Sequence, residues 1–208
     1  MKLKWTAFSG ASGILAVLLI CLAPAQRVDA QTVTPFIALS GVSVPELPAK
    51  ASELVQAVAA PDREQTARDV LHVVSMIARP GVLPFVVSAI CRGTPATAGA
   101  VVATAIELQP GHVLIFARTA LCAAPGQVEQ VVCAACTAAP ASCANVALLA
   151  SEQLPAATGS ILAGLTGAMP YLKYYVEQAE IQLGTNDCQA VIRQAVQLSN
   201  DASRARAK

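Results

Sequence analysis

The sequence predicts an all-α protein: an array of short antiparallel helices built from a 15-residue, proline-punctuated repeat, forming an α-solenoid or a compact superhelical bundle. Three observations predict it. Prolines recur at 80, 95, 110, 125, 140, 155 and 170. Six residues after each comes an apolar side chain, namely Val86, Val101, Phe116, Val131, Val146, Ile161 and Val176. Within a unit, apolar or small residues fall 3, 6, 7 and 10 places after the proline, spacings of three and four that return to one side of a helix. Val113, Phe116, Ala117 and Ala120 show the pattern, as do Val128, Val131, Val132 and Ala135.

The elements follow in chain order. Lys2 and Lys4 precede an apolar run from Ala11 to Ala23, which Pro24 ends, and Val28-Asp29-Ala30 supplies small residues at signal-peptidase spacing. That order of charged, apolar and small-residue regions predicts a secretory signal peptide over 1–30, with cleavage after Ala30 and Ala25 as the second choice. The apolar run falls short of the ~20 residues that cross a bilayer, so the reading is a removable signal and an exported, periplasmic or secreted, protein. Residues 31–48, with Pro35, Pro45 and Pro48, read as extended.

The helical repeat domain is placed at 49–200. Ala49 to Ala60 and the more charged Asp62 to Arg79 form its leading cap, with Val70, Leu71, Val74 and Ile77 turned inward. Regular units fill 81–170, each a helix of about 10–12 residues closed by a tight turn. Proline suits the first helical turn, where its missing N–H would have found no partner, and Thr94 before Pro95 offers an N-cap. Tyr171 to Leu183 and Asp187 to Ser199 are more polar, as the end of an array should be, and 201–208 is a polar tail. A 12-residue helix is about 18 Å long, too short to span a bilayer and too short to persist alone in water. The helices must therefore pack on each other.

Charge excludes several partners. Removing Lys2, Lys4, Arg27 and Asp29 with the signal leaves 11 basic and 12 acidic residues. A net charge near −1 gives no reason to expect nucleic acid or an anionic membrane surface. Between Gly81 and Pro170 the only charges are Arg92, Glu107, Arg118, Glu129 and Glu152, so this stretch must bury much of itself.

Six cysteines remain after Cys21 leaves: Cys91, Cys122, Cys133, Cys136, Cys143 and Cys188. An even number in an exported chain suggests disulfides. Cys136 stands four before Pro140 and Cys143 three after it, so the pair faces across one turn. Cys91 and Cys122, 31 apart, lie close to two units from each other and could meet on helices running the same way. Cys133 and Cys188 are left without a geometric argument. Cys133-Ala-Ala-Cys136 is the one motif with chemistry of its own, a CxxC of the kind that exchanges disulfides. It sits at mid-helix rather than at a helix start, and no thioredoxin-like βαβ pattern surrounds it.

No GxSxG, HExxH, P-loop or dinucleotide glycine pattern is present. His72 and His112 stand at no metal-ligand spacing from a cysteine pair, so neither a metal nor another cofactor is expected. Tyr171, Tyr174 and Tyr175 share a helix face, read as cap packing ahead of a tyrosine-rich binding surface. The leading expectation is a non-enzymatic structural or protein-interaction scaffold whose partner is a protein, itself or another. A thiol–disulfide protein using Cys133 and Cys136, and a carrier of an apolar ligand held between short helices, are the rivals.

Overall fold

The computed structural model describes residues 35–184 and 187–206. The signal sequence, both cleavage sites and Cys21 lie outside the described residues. Among those residues there are eleven α-helices and no strand. They are α1 (Pro35–Leu39), α2 (Leu47–Ala57), α3 (Arg63–Ile77), α4 (Leu83–Gly93), α5 (Ala98–Leu108), α6 (Val113–Ala123), α7 (Val128–Ala138), α8 (Cys143–Gln153), α9 (Thr158–Ala168), α10 (Leu172–Leu183) and α11 (Cys188–Arg206).

The repeat resolves into three parts. In the unit headed by Pro110, a three-residue 3-10 turn (Pro110–His112) leads into the 11-residue helix α6. One extended residue, Ala124, with φ −135° and ψ 67°, then completes the 15. The residue before proline is driven out of the α region by the clash with the ring, which is why the helix stops there without a glycine. It also joins the two elements. Ala124 N–H donates to Ala120 O at 2.8 Å, closing α6, and Ala124 O accepts Gln127 N–H at 3.0 Å, opening the next turn. Gln109, Ala139, Leu154 and Met169 repeat both bonds.

Burial follows the predicted columns and adds one. In the units headed by Pro80 to Pro155 the side chains 6 and 10 places after proline, such as Phe116 with Ala120 and Ile161 with Leu165, are wholly buried. A further column 11 places after proline holds Cys91, Ile106, Leu121, Cys136 and Ser151, also buried. Most polar members of the interior bond locally: Thr104 Oγ1 donates to Ala100 O at 2.9 Å and Ser151 Oγ to Leu148 O at 2.7 Å.

From α1 to α9 the helices pack most extensively on the helix two along, and less on their neighbour in sequence, whereas α10 packs chiefly on α11. This sorts them into two rows, with α1, α3, α5, α7 and α9 in one and α2, α4, α6 and α8 in the other, α11 lying against α8. Members of a row run the same way. Ser52 of α2 donates to Ala89 O of α4 at 3.1 Å, and Gln56, a turn later on α2, lies beside Gly93, a turn later on α4. Cys122 near the end of α6 likewise meets Gln153 at the end of α8. Two successive helices thus make one turn of an α-solenoid, each turn stacked on the last.

Three expectations are corrected. The segment read as extended carries α1 over Pro35–Leu39, held by Leu39, which is wholly buried. Ile77, read as turned inward, is 38 % exposed at the end of α3. The polar tail continues α11 to Arg206, because that helix starts on Asp187 as N-cap, whose Oδ1 accepts Gln189 N–H at 3.0 Å, and runs 19 residues unbroken by proline or glycine. Thr94 does not cap with its side chain; its hydroxyl turns back to Ile90 O at 2.9 Å. No helix among the described residues is long and apolar enough to cross a membrane.

Candidate functional site

Chemistry-bearing residues gather where α7, α8, α10 and α11 meet. Cys136 is the ninth residue of α7 and Cys143 the first of α8. The turn at Pro140 folds the second onto the first, as the spacing predicts. Cys136 Sγ donates to Cys143 O at 3.7 Å, and the Cys143 side chain lies close enough to take that hydrogen bond in its place. Both are free thiols and both are buried. Donating that bond, and burial, hold Cys136 in its protonated form. Receiving it lowers Cys143, against the opposing effect of burial.

The other candidate pairs are not brought together. Cys91 is wholly buried in α4, whereas Cys122 is exposed, its Sγ 3.7 Å from Gln153 Oε1 of α8, so it is turned away from α4. Cys188 lies beside Thr158 at the start of α9. Cys133, half-buried, lies beside Gly167 near the end of the same helix, nine residues or about 13 Å further on. Within the CxxC, Cys133 and Cys136 occupy the interior of α7, and Cys136 directs its bond to Cys143.

Cys143 also lines a groove of about 210 Å³ between α8, α10 and α11, rimmed by Tyr171, Ser199 and Asn200. Tyr171 and Ser199 continue into a second, shallower recess with Tyr174, Tyr175 and Ser203. Two of the tyrosines are not cap packing, Tyr171 being 63 % exposed and Tyr174 62 %, whereas Tyr175, half-buried and edge-on to Tyr174 at 5.5 Å, packs against the core. His72 and His112 are both exposed on the helical surface, His112 edge-on to Phe116. The groove passed unnoticed in the sequence because it depends on α11 replacing α10 against α8, a break in the row that no column announces.

Cys91 supplies a pH dependence. Burial pushes its thiol from the ordinary 9.0 up to about 12. The folded state therefore keeps a proton that the unfolded state releases, so the stability it contributes is whole below pH 9 and lost as pH rises towards 12. Cys136 and Cys188, also raised, act in the same direction. Denaturation midpoints of the reduced protein should fall above pH 9, and Cys91→Ala should make that fall shallower. An unchanged slope would assign the effect to other groups.

Compared with protein-family models, curated proteins and solved structures, the chain matches none.

Proposed function

We propose that this protein is an exported, non-enzymatic scaffold that binds another protein, in the periplasm or outside the cell. The observation that carries it is the exposed aromatic edge on the last turn of the array. Tyr171 and Tyr174 stand above the recess formed with Ser199 and Ser203 of α11, at the end of a solenoid whose other helices bury their apolar columns. Rigid, amphipathic tyrosines gain contact area at little entropic cost, and they concentrate in binding surfaces for that reason. Stacked repeats hold such a surface at a fixed curvature. Export rests on the N-terminal charged, apolar and small-residue order.

The test combines localisation with binding. The exported fraction should contain a chain beginning at Gln31, read by N-terminal peptide mapping. A photo-reactive amino acid placed at 174 should cross-link one protein at saturable yield, and Tyr171→Ala with Tyr174→Ala should lower that affinity at least tenfold. Both side chains are exposed, so folding should change by no more than about 0.5 kcal/mol. A chain retained in the cytoplasm, or one that turns over a substrate through a single side chain, would remove this reading.

A further inference from the structure

The thiols at the Pro140 turn stand out against the repeat itself. The residue 11 places after one proline and the residue 3 places after the next occupy equivalent positions at every turn. Around Pro110 they are Ile106 and Val113; around Pro125, Leu121 and Val128, all buried. Around Pro140 the same two positions hold Cys136 and Cys143, so packing alone does not require sulfur there. Cys136 Sγ reaches Cys143 O at 3.7 Å, across the turn from the second thiol, and Cys143, at the head of α8, also forms part of the wall of the α8–α10–α11 groove. Cys136 is wholly buried and Cys143, at the groove wall, keeps 5 % exposure; a resolving thiol behind one at a groove wall is the arrangement that disulfide exchange needs.

We propose that Cys143 and Cys136 are a thiol–disulfide exchange site, Cys143 taking a low-molecular-weight disulfide from the groove and Cys136 resolving the adduct. The Cys143 thiolate attacks one sulfur of the small disulfide; that S–S bond breaks and the released thiolate takes a proton. Cys136 then loses its proton and attacks the Cys143 sulfur, expelling the second small thiol. The protein gains one S–S bond, the reagent is reduced to two thiols, and two electrons pass from the cysteine pair to the reagent. Neither Cys122, exposed and facing Gln153, nor Cys133, beside Gly167 of α9, takes part. The inference stands apart from the scaffold reading, since it concerns the thiols at the Pro140 turn and needs no protein partner.

The full chain, reduced and folded, is incubated with oxidised glutathione, quenched in acid and alkylated. Cleavage after Glu129 and Glu152 then releases 130–152, which holds Cys133, Cys136 and Cys143 together. The expected fragment has lost two hydrogens, with Cys136 bonded to Cys143 and Cys133 alkylated. Cys136→Ser should stop at a glutathione adduct on Cys143, and Cys143→Ala should leave Cys136 alkylated. The repeat accommodates both replacements: Ser151 fills the Cys136 position and Ala98 the Cys143 position in other units. A Cys133–Cys136 bond, an adduct on Cys133 in the serine variant, or a Cys143 that stays fully alkylated in the wild type would overturn the assignment.

Discussion

Phe116→Ala is expected to lower the stability of the protein by about 3–5 kcal/mol. Phe116 is the largest wholly buried side chain and the one aromatic in the column six places after proline, where the other units carry valine or isoleucine. The small residues that follow it on the same face, Ala117 and Ala120, leave the ring to fill the space where α6 packs on α4 and α8. Truncation removes the buried ring and leaves a cavity that two rows of stacked helices close only in part. A domain of this size is held by about 5–15 kcal/mol, so the variant sits near its unfolding threshold. Phe116→Val, the residue most units use, should cost less but not nothing, because the neighbouring alanines are matched to the ring. Denaturant midpoints rank the three proteins, and hydrogen exchange should quicken first in α4 to α8 and last in α10 and α11, as a linear array allows. An alanine variant as stable as the valine one would show that the space around position 116 collapses freely.

That valine occupies most of this column explains how much of the fold was legible beforehand. Proline every 15 residues fixes where each helix starts and which residue before it must be extended, and the 3, 6, 7 and 10 columns fix the buried face. The 11-place column was hidden because its members, Cys91, Ile106, Leu121, Cys136 and Ser151, mix sulfur, aliphatic and hydroxyl groups that share burial but neither size nor chemistry. The Cys136–Cys143 contact was legible since both cysteines sit at repeat positions that face across a turn. The groove beside Cys143 was not, because it arises where the array stops repeating: α11 rather than α10 lies against α8, and nothing periodic predicts an exception. The helix at Pro35–Leu39 escaped for a similar reason. At five residues it owes its place to the burial of Leu39, and a segment with three prolines carries no local preference that would betray it.

The contact between α7 and α9, the most extensive helix–helix interface, yields the second large effect. Gly164, at mid-helix in α9, brings the two backbones together: a Cβ there would fall 2.6 Å from Glu129 O, 3.1 Å from Val132 Cβ and 3.2 Å from Cys133 N. Glycine in a helix interior costs up to about 1 kcal/mol in backbone entropy, so a residue with a Cβ would be preferred if there were room for one. There is none, and two of the three obstructing atoms are backbone, which moves only if the whole of α7 moves. Gly164→Ala should therefore lose about 1–2 kcal/mol net, the gain in helix propensity being outweighed by the clash, and Gly164→Leu about 3 kcal/mol or more. Gly159 in the first turn of the same helix has nothing within 4 Å of the equivalent point. Gly159→Ala should be stabilising by a few tenths of a kcal/mol to about 1. The opposite signs of two glycine-to-alanine changes five residues apart separate packing from propensity, and chemical denaturation reads both. If Gly164→Ala stabilised the protein as Gly159→Ala does, α7 and α9 would not approach as closely as this, and a looser stacking of the rows would have to replace the one described.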